Sequence, residues 1–255
     1  MTNEDLYLAI DTILTELADV FPDKLWHVGG DEPHFACWTA NKKVAAYMKA
    51  HGLTAEGLYA QFSGRYAKLV HSHNKSVIGW EEVQTTKGTA PSADTIVEVW
   101  EGNNALDAVV KAGFRATVSS NWYLDDGGDW VKYWSDDPLS YLDKPTAEQK
   151  ALVLGGESCM WNSKFDAHSN MEPAMWPNAA AAAEMLWSPL ADVKNTTVEQ
   201  DARTRLSQHR CRMVRRGVRA SPLAEDYCSA ELYVRRSRSY SHPGDFPPSP
   251  YTPPP

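Results

Sequence analysis

Short apolar runs alternate with longer amphipathic stretches from residue 1 to about residue 190, the signature of βα units laid on a parallel sheet. The pattern predicts a helix over 6–20, a strand over 25–29, a helix over 41–50 closed near Gly52, and a further helix over about 55–73. Strands follow at 76–80 and 95–100, then a helix at 104–112 and a strand at 115–120. Residues 121–148 break the rhythm. They are rich in Asp, Gly, Trp and Tyr and predict a long functional loop at a strand end. A fifth strand is expected at 151–155, then another long loop and a helix over about 177–186, whose alanines at 179–183 predict a tightly packed face. A basic helix is expected from about Asp201 to Arg216. From about Ser229 the chain is poor in apolar residues and carries seven prolines between 243 and 255, which predicts a disordered or polyproline II tail.

Composition changes this picture little. At 255 residues the chain has room for one large α/β domain or two small ones. A formal charge of -8 argues against nucleic acid as a partner, and the one basic cluster, Arg203 to Arg219, has the spacing of a solvated helix face. No apolar run approaches the roughly eighteen residues of a membrane span, and the N-terminus lacks the charged-then-apolar pattern of a signal peptide. Four cysteines, at 37, 159, 211 and 228, do not by themselves settle the redox compartment. Asn74-Lys75-Ser76 and Asn195-Thr196-Thr197 are glycosylation acceptor patterns, informative only in a secreted protein.

The candidate chemistry sits at strand ends. Residues 26–32 read Trp26-His27-Val28-Gly29-Gly30-Asp31-Glu32. Neighbouring side chains of a regular strand point to opposite faces, so Asp31 and Glu32 can address one molecule only if the chain bends there, and Gly29 and Gly30 permit the bend. Two close but inequivalent carboxyls suit chemistry in which one donates a proton while the other stays ionised. Alone, the pair reads as a solvated surface turn rather than a site. The other strand ends carry the same residue types, in Trp80-Glu81-Glu82, Trp100-Glu101, Trp122-Tyr123-Leu124-Asp125 and Gly155-Gly156-Glu157-Ser158-Cys159-Met160-Trp161. In a closed parallel barrel such ends meet on one face, where flat indole rings can wall a sugar pocket. Trp26, Trp38, Trp176 and Trp187 read as core.

These motifs, with Cys37-Trp38 and Trp176-Pro177…Ala183-Glu184-Met185-Leu186-Trp187-Ser188, occur in the order expected of family 20 glycoside hydrolases. The chain resembles β-N-acetylhexosaminidases of lysosomal and secreted type over about residues 3–228. The resemblance implies a partial (β/α)8 TIM barrel, about the last five strands, with a C-terminal helix and the Pro-rich tail at 229–255. The first three strands fall upstream of the stretch that resembles the family. It also implies release of terminal N-acetylglucosamine or N-acetylgalactosamine by a retaining, substrate-assisted route with no cofactor and no metal.

By position, Glu32 would be the general acid and later the base, and Asp31 would hold the substrate's acetamido N–H. Tyr123 would donate to the acetamido oxygen, while Trp80, Trp100 and Trp161 enclose the methyl and the sugar face. Burial is expected to keep Glu32 protonated, and His27 to orient the loop. Asp125, followed by Asp126, would contact the 6-hydroxyl and disfavour 6-sulfated sugars. Ser163 and Asn178 depart from the family's Glu and Arg at those positions. Cys211 and Cys228 match a family disulfide, Cys37 matches a cysteine whose partner lies upstream, and Cys159 reads as a free buried thiol. The expected partners are glycans with terminal N-acetylhexosamine, with a homodimer compatible. The other reading is a catalytically impaired fragment or a carbohydrate-binding descendant without turnover.

Overall fold

Five short strands, β1 Leu25–His27, β2 Ser76–Trp80, β3 Ile96–Val99, β4 Arg115–Val118 and β5 Val153–Gly156, form one parallel sheet in the order β1-β2-β3-β4-β5. Each strand pairs with the next, as Leu25 with Ser76, Ile78 with Ile96, Ile96 with Arg115 and Ala116 with Val153. This is the α/β order that the apolar runs predicted, with β2 as expected and the other strands a residue or two shorter. The computed structural model describes residues 2–161, 171–188, 196–223 and 228. The Pro-rich tail and Ser163 lie outside the described residues.

The chain divides into two compact units, Met1–Tyr123 with Asp136–Cys159, and Leu124–Ser135 with Met160–Pro255. The first holds the sheet. Its helices start and stop where local chemistry requires. Helix α1 (Glu4–Val20) begins at Asn3, whose side chain accepts from Asp5 N–H. Helix α2 (Phe35–Ala40) precedes α3 (Lys42–His51), which is capped by Asn41 and ended by Gly52 in the left-handed conformation, φ 63°. Helix α4 (Ala55–Ser72) starts at Thr54, whose hydroxyl accepts from Gly57 N–H. Leu14 of α1, Val70 of α4 and Val77 of β2 form one buried cluster, against which Trp26 packs, and Met48, Ala55 and Leu58 form another, against which Trp38 packs. Lys75, buried at the start of β2, donates from Nζ to Phe21 O at 2.7 Å and Asp23 O at 2.6 Å, so its charge is met by the carbonyls of the turn into β1.

Beyond β2 come α5 (Glu82–Thr85), β3 with every residue buried, and α6 (Asn103–Lys111), whose Leu106, Val109 and Val110 are buried. Residues 121–148 are not the long loop that composition predicted. They fold into a 3-10 turn at Leu124–Asp126, helix α7 (Trp130–Trp134), a second 3-10 turn at Pro138–Tyr141 and helix α8 (Ala147–Ala151), which opens with a capping box at Thr146 and Gln149.

In the second unit α7 packs on α10 (Asn178–Trp187), burying Trp130, Tyr133 and Trp134 beside Ala181, Ala182 and Met185. Of the five alanines only 181 and 182 are buried. Trp187 is 92% exposed at the last residue of α10, and Trp176 is half-buried, so neither forms the core expected of them. Helix α9 (Met171–Met175) precedes α10, and α11 (Thr196–Arg215) carries the basic cluster. Arg203, Arg205, Arg212 and Arg216 face water as expected. Arg210 does not. It is half-buried and donates from Nε to Ala220 O and Ser221 O, at 3.2 and 2.8 Å. Cys211 and Cys228 form the disulfide, while Cys159 is free and buried and Cys37 is free and exposed. No described helix is long and apolar enough to cross a membrane.

The sheet carries a polar cluster. Glu98, on β3 and only 2% exposed, accepts from His27 Nε2 of β1 at 2.9 Å and bonds Glu157, which follows β5. Cys159 Sγ donates to Glu157 Oε1 at 3.4 Å. A bond between two carboxyl groups requires a proton on one of them. Burial pushes Glu98 up, but the bonds from His27 and Glu157 outweigh it and leave the carboxyl below its ordinary value. The proton resides on Glu157, which the bond to Glu98 and then burial push up to about 7.

Folding therefore binds a proton at Glu157 between its ordinary value near 4.5 and about 7, and this contribution is present below that window and lost as pH rises through it. Glu157→Gln should remove the effect, so thermal melting should show the variant gaining on the wild type between pH 5 and pH 8. A constant difference across that range would contradict the assignment. The disulfide closes a loop with a sequence separation of 17, which predicts a loss of about 3 kcal/mol on reduction. Urea unfolding with and without reductant measures it, and coincident curves would show that the bond contributes nothing.

Candidate active site

The chain bends sharply after β1, as the glycine pair requires. Gly29 and Gly30 have φ of 68° and 110°, and Glu32, a residue with a side chain, is held at 45°. Gly30 cannot be replaced without displacement, because an added Cβ would meet the Tyr59 hydroxyl and Val83 Cγ1 at 2.8 Å each.

His27 on the same strand and groups from three other elements fix this turn. His27 Nδ1 accepts from Gly29 N–H at 3.0 Å, which places the ring proton on Nε2, where it faces Glu98. The Tyr59 hydroxyl of α4 donates to Gly30 O at 2.7 Å, and Trp80 N–H donates to Gly29 O at 3.0 Å. Glu82 Oε1 accepts from Glu32 N–H at 2.9 Å. Tyr59 is held well above its ordinary phenol value by burial, then by the charges of Glu82 and Asp31, so it stays a donor.

The tryptophan wall is built on the same residues. Trp80 lies edge-on to His27 at 5.3 Å and to Trp100 at 6.5 Å between ring centroids. Glu81, only 3% exposed, accepts through Oε2 from the N–H groups of Trp100 and Glu101 at 2.9 and 3.1 Å. Burial raises its carboxyl above the ordinary value. Glu82 Oε2 accepts from the Trp100 indole N–H at 3.1 Å. The pair Glu81-Glu82 stood out in the sequence as acidic residues at a strand end, but which donors they meet is set by chain 18 to 50 residues away. Glu98 gave no signal beyond its place in an apolar strand.

The structure thus brings Asp31, Glu32, His27, Trp80, Trp100 and Tyr123 into the first unit. Asp31 and Glu32 are both exposed, because they follow the edge strand β1, so the burial expected around Glu32 is absent among the described residues. Tyr123 is half-buried and bridges to Cys159 in parallel fashion, while the preceding Trp122 is wholly buried and belongs to the core. Asp125 and Trp161 belong to the second unit, where the Trp161 N–H donates to Asp125 Oδ1 at 3.4 Å and Asp125 is 7% exposed. Trp161 is 48% exposed. Asn178, at the arginine position, donates to Gly128 O at 3.2 Å.

A cation has one candidate place among the described residues, where Glu98, Glu157 and Cys159 bring ligand atoms within 4.8 Å of one another. The two carboxyls shift in opposite directions, Glu157 up and Glu98 down, and burial pushes the thiol up to about 12, so the donor set favours proton sharing over a metal. Chemically, the turn offers two adjacent carboxyl groups beside an indole wall, residue types suited to glycosidic bond cleavage.

Known proteins are similar to this chain over most of its length. Over 233 residues the chain is 38% identical to beta-hexosaminidase subunit beta of Mus musculus, covering 88% of this chain and 42% of that protein. Over 234 residues it is 40% identical to beta-hexosaminidase subunit beta of Homo sapiens, covering 88% and 40%. The chain therefore spans well under half the length of these relatives. Among solved structures, the chitobiase of Flavobacterium johnsoniae aligns with a TM-score of 0.74 at 30% identity, covering 85% of this chain and 33% of that one. The five-stranded parallel sheet corresponds to part of the TIM barrel of these catalytic domains. The model described as glycosyl hydrolase family 20, catalytic domain, matches residues 1–190, a stretch that includes the glycine-carboxylate turn and every tryptophan-bearing strand end, and the chain belongs to that family.

Proposed function

We propose that this chain carries the acid/base half of a β-N-acetylhexosaminidase active site, acting on glycans with a terminal N-acetylglucosamine or N-acetylgalactosamine. The observation that carries the reading is the turn Gly29-Gly30-Asp31-Glu32, held from His27, Tyr59, Trp80 and Glu82 beside the Trp80–Trp100 wall, in a member of family 20.

In this reading Glu32 protonates the glycosidic oxygen as the acetamido oxygen of the substrate attacks the anomeric carbon. It then takes a proton from the water that opens the resulting ring. Asp31 accepts from the acetamido N–H and stabilises the positive charge that develops beside it. Tyr123 donates to the acetamido oxygen, and Trp80 and Trp100 enclose the methyl. Asp125 and Trp161, in the second unit, keep by sequence position the roles of 6-hydroxyl partner and sugar platform. A lysosomal or secreted location accords with the Cys211–Cys228 disulfide, and Asn74, exposed in the turn between α4 and β2, is a candidate glycan acceptor. The proposed assembly is a homodimer, which would cover apolar residues such as Leu25 and Leu154, about half exposed on the two edge strands.

Hydrolysis of a 4-nitrophenyl N-acetyl-β-glucosaminide tests the reading. Glu32→Gln should lower kcat by about a thousandfold, and Asp31→Asn by about a hundredfold while weakening, without abolishing, the binding of an oxazoline-mimicking inhibitor. Inhibitor binding by the wild type with no turnover would instead identify a carbohydrate-binding descendant. At Asp125 the prediction is a lower kcat/KM for a 6-sulfated aryl glycoside than for the plain one. Equal rates would remove Asp125 from the site.

A further inference from the structure

We infer that Glu82 is a positioning residue that locks the general-acid turn to the pocket wall, an inference that rests on the proposed function for its kinetic consequence. Its two carboxylate oxygens divide between two places. Oε1 takes the N–H of Glu32 at 2.9 Å, and Oε2 takes the indole N–H of Trp100 at 3.1 Å. The backbone of the proposed acid and the ring of the proposed wall are therefore held by one planar group, whose geometry fixes the separation of the two donors.

The lock has a specific purpose at Glu32. This residue sits at φ 45°, a conformation that side-chain-bearing residues rarely adopt, and its N–H would turn away if the backbone relaxed. Glu82 is itself well placed to resist. It opens helix α5, directly after Glu81, whose carboxylate is buried and fastened to the N–H groups of Trp100 and Glu101. Successive carboxylates thus divide the work at one strand end, with Glu81 fixing the backbone of Trp100 and Glu82 fixing its ring together with the acid turn. An ionised carboxylate can accept both bonds. An amide of the same shape has one oxygen and would turn an N–H2 group towards the second donor.

Two readouts follow. In the 1H–15N spectrum of the full chain, the Trp100 indole signal, assigned by its loss in Trp100→Phe, and the Glu32 amide signal should both shift in Glu82→Gln and exchange with solvent faster. Trp100→Phe should shift the Glu32 amide as well, since it removes one of the two anchors of Glu82. This second variant decides the matter should Glu82→Gln fail to fold. An unmoved Glu32 amide would overturn the lock.

In kinetics, a displaced acid matters most where the leaving group needs its proton. Glu82→Gln should lose at least tenfold more kcat/KM on a phenyl N-acetyl-β-glucosaminide than on the 2,4-dinitrophenyl one, whose leaving group departs without help. A general weakening of the fold would lower both alike, so equal losses overturn the positioning role. Should the wild type cleave neither glycoside, the proposed function fails while the spectra still decide whether Glu82 joins the turn to the wall.

Discussion

The turn from Gly29 to Glu32 is the constraint on which the site depends. Three of its four residues have positive φ, and a side-chain-bearing residue in that region costs on the order of 1–3 kcal/mol. A free surface turn would relax. This one is held by hydrogen bonds from four sources, His27 on its own strand, Tyr59 on α4, Trp80 at the end of β2 and Glu82 on α5. At about 1 kcal/mol each, these bonds can offset the strain, and because they come from separate elements no single motion releases them all. In the proposed function the bend lets two adjacent carboxyls face one ligand, and the surrounding strand ends hold the bend.

The charge around the turn is one-sided. Asp31, Glu32, Glu81, Glu82, Glu98 and Glu157 all follow or occupy strands of one sheet, and the partners recorded for the four last-named are N–H groups, His27, a thiol and one another. Fixed N–H groups lower the cost of each carboxylate without cancelling its field as a paired lysine would. A site of this kind favours positive charge, which is what develops at an anomeric carbon and its acetamide when the glycosidic bond breaks. The shared proton on Glu157 limits the accumulation, since two carboxylates in direct contact cannot both ionise at low cost.

What could be read from the sequence followed from local rules. Helices α1 and α3 announce themselves through amphipathic spacing and, for α3, Gly52, and β2 through a short apolar run before an acidic pair. The bend at Gly29-Gly30 was legible for the same reason, as only glycine suits it. Residues 121–148 were not. Helix α7 has five residues, too few to show a period, and its Trp130, Tyr133 and Trp134 resemble ligand-binding aromatics until the packing against α10 is known. Trp187 misled in the other direction, since a tryptophan at a helix end carries no local mark of which way it faces. The roles of Glu81 and Glu82 depend on donors from other strands, which no window along the chain contains.

Trp122 and Tyr123 show how a single glycine settles such a choice. Adjacent in sequence and both aromatic, they carry the same local signal, yet Trp122 is fully buried and Tyr123 is half-exposed at the bridge to Cys159. The difference originates at Gly156 on β5. The Trp122 ring and the Val118 carbonyl occupy the space that a Cβ at 156 would need, so the absence of a side chain there is what admits the indole. Once Trp122 is seated, its carbonyl accepts from Cys159 N–H at 3.2 Å, which fixes the bridge between Tyr123 and Cys159. A residue proposed to bind substrate is thus placed by the packing of its neighbour, and that neighbour by a glycine on the next strand.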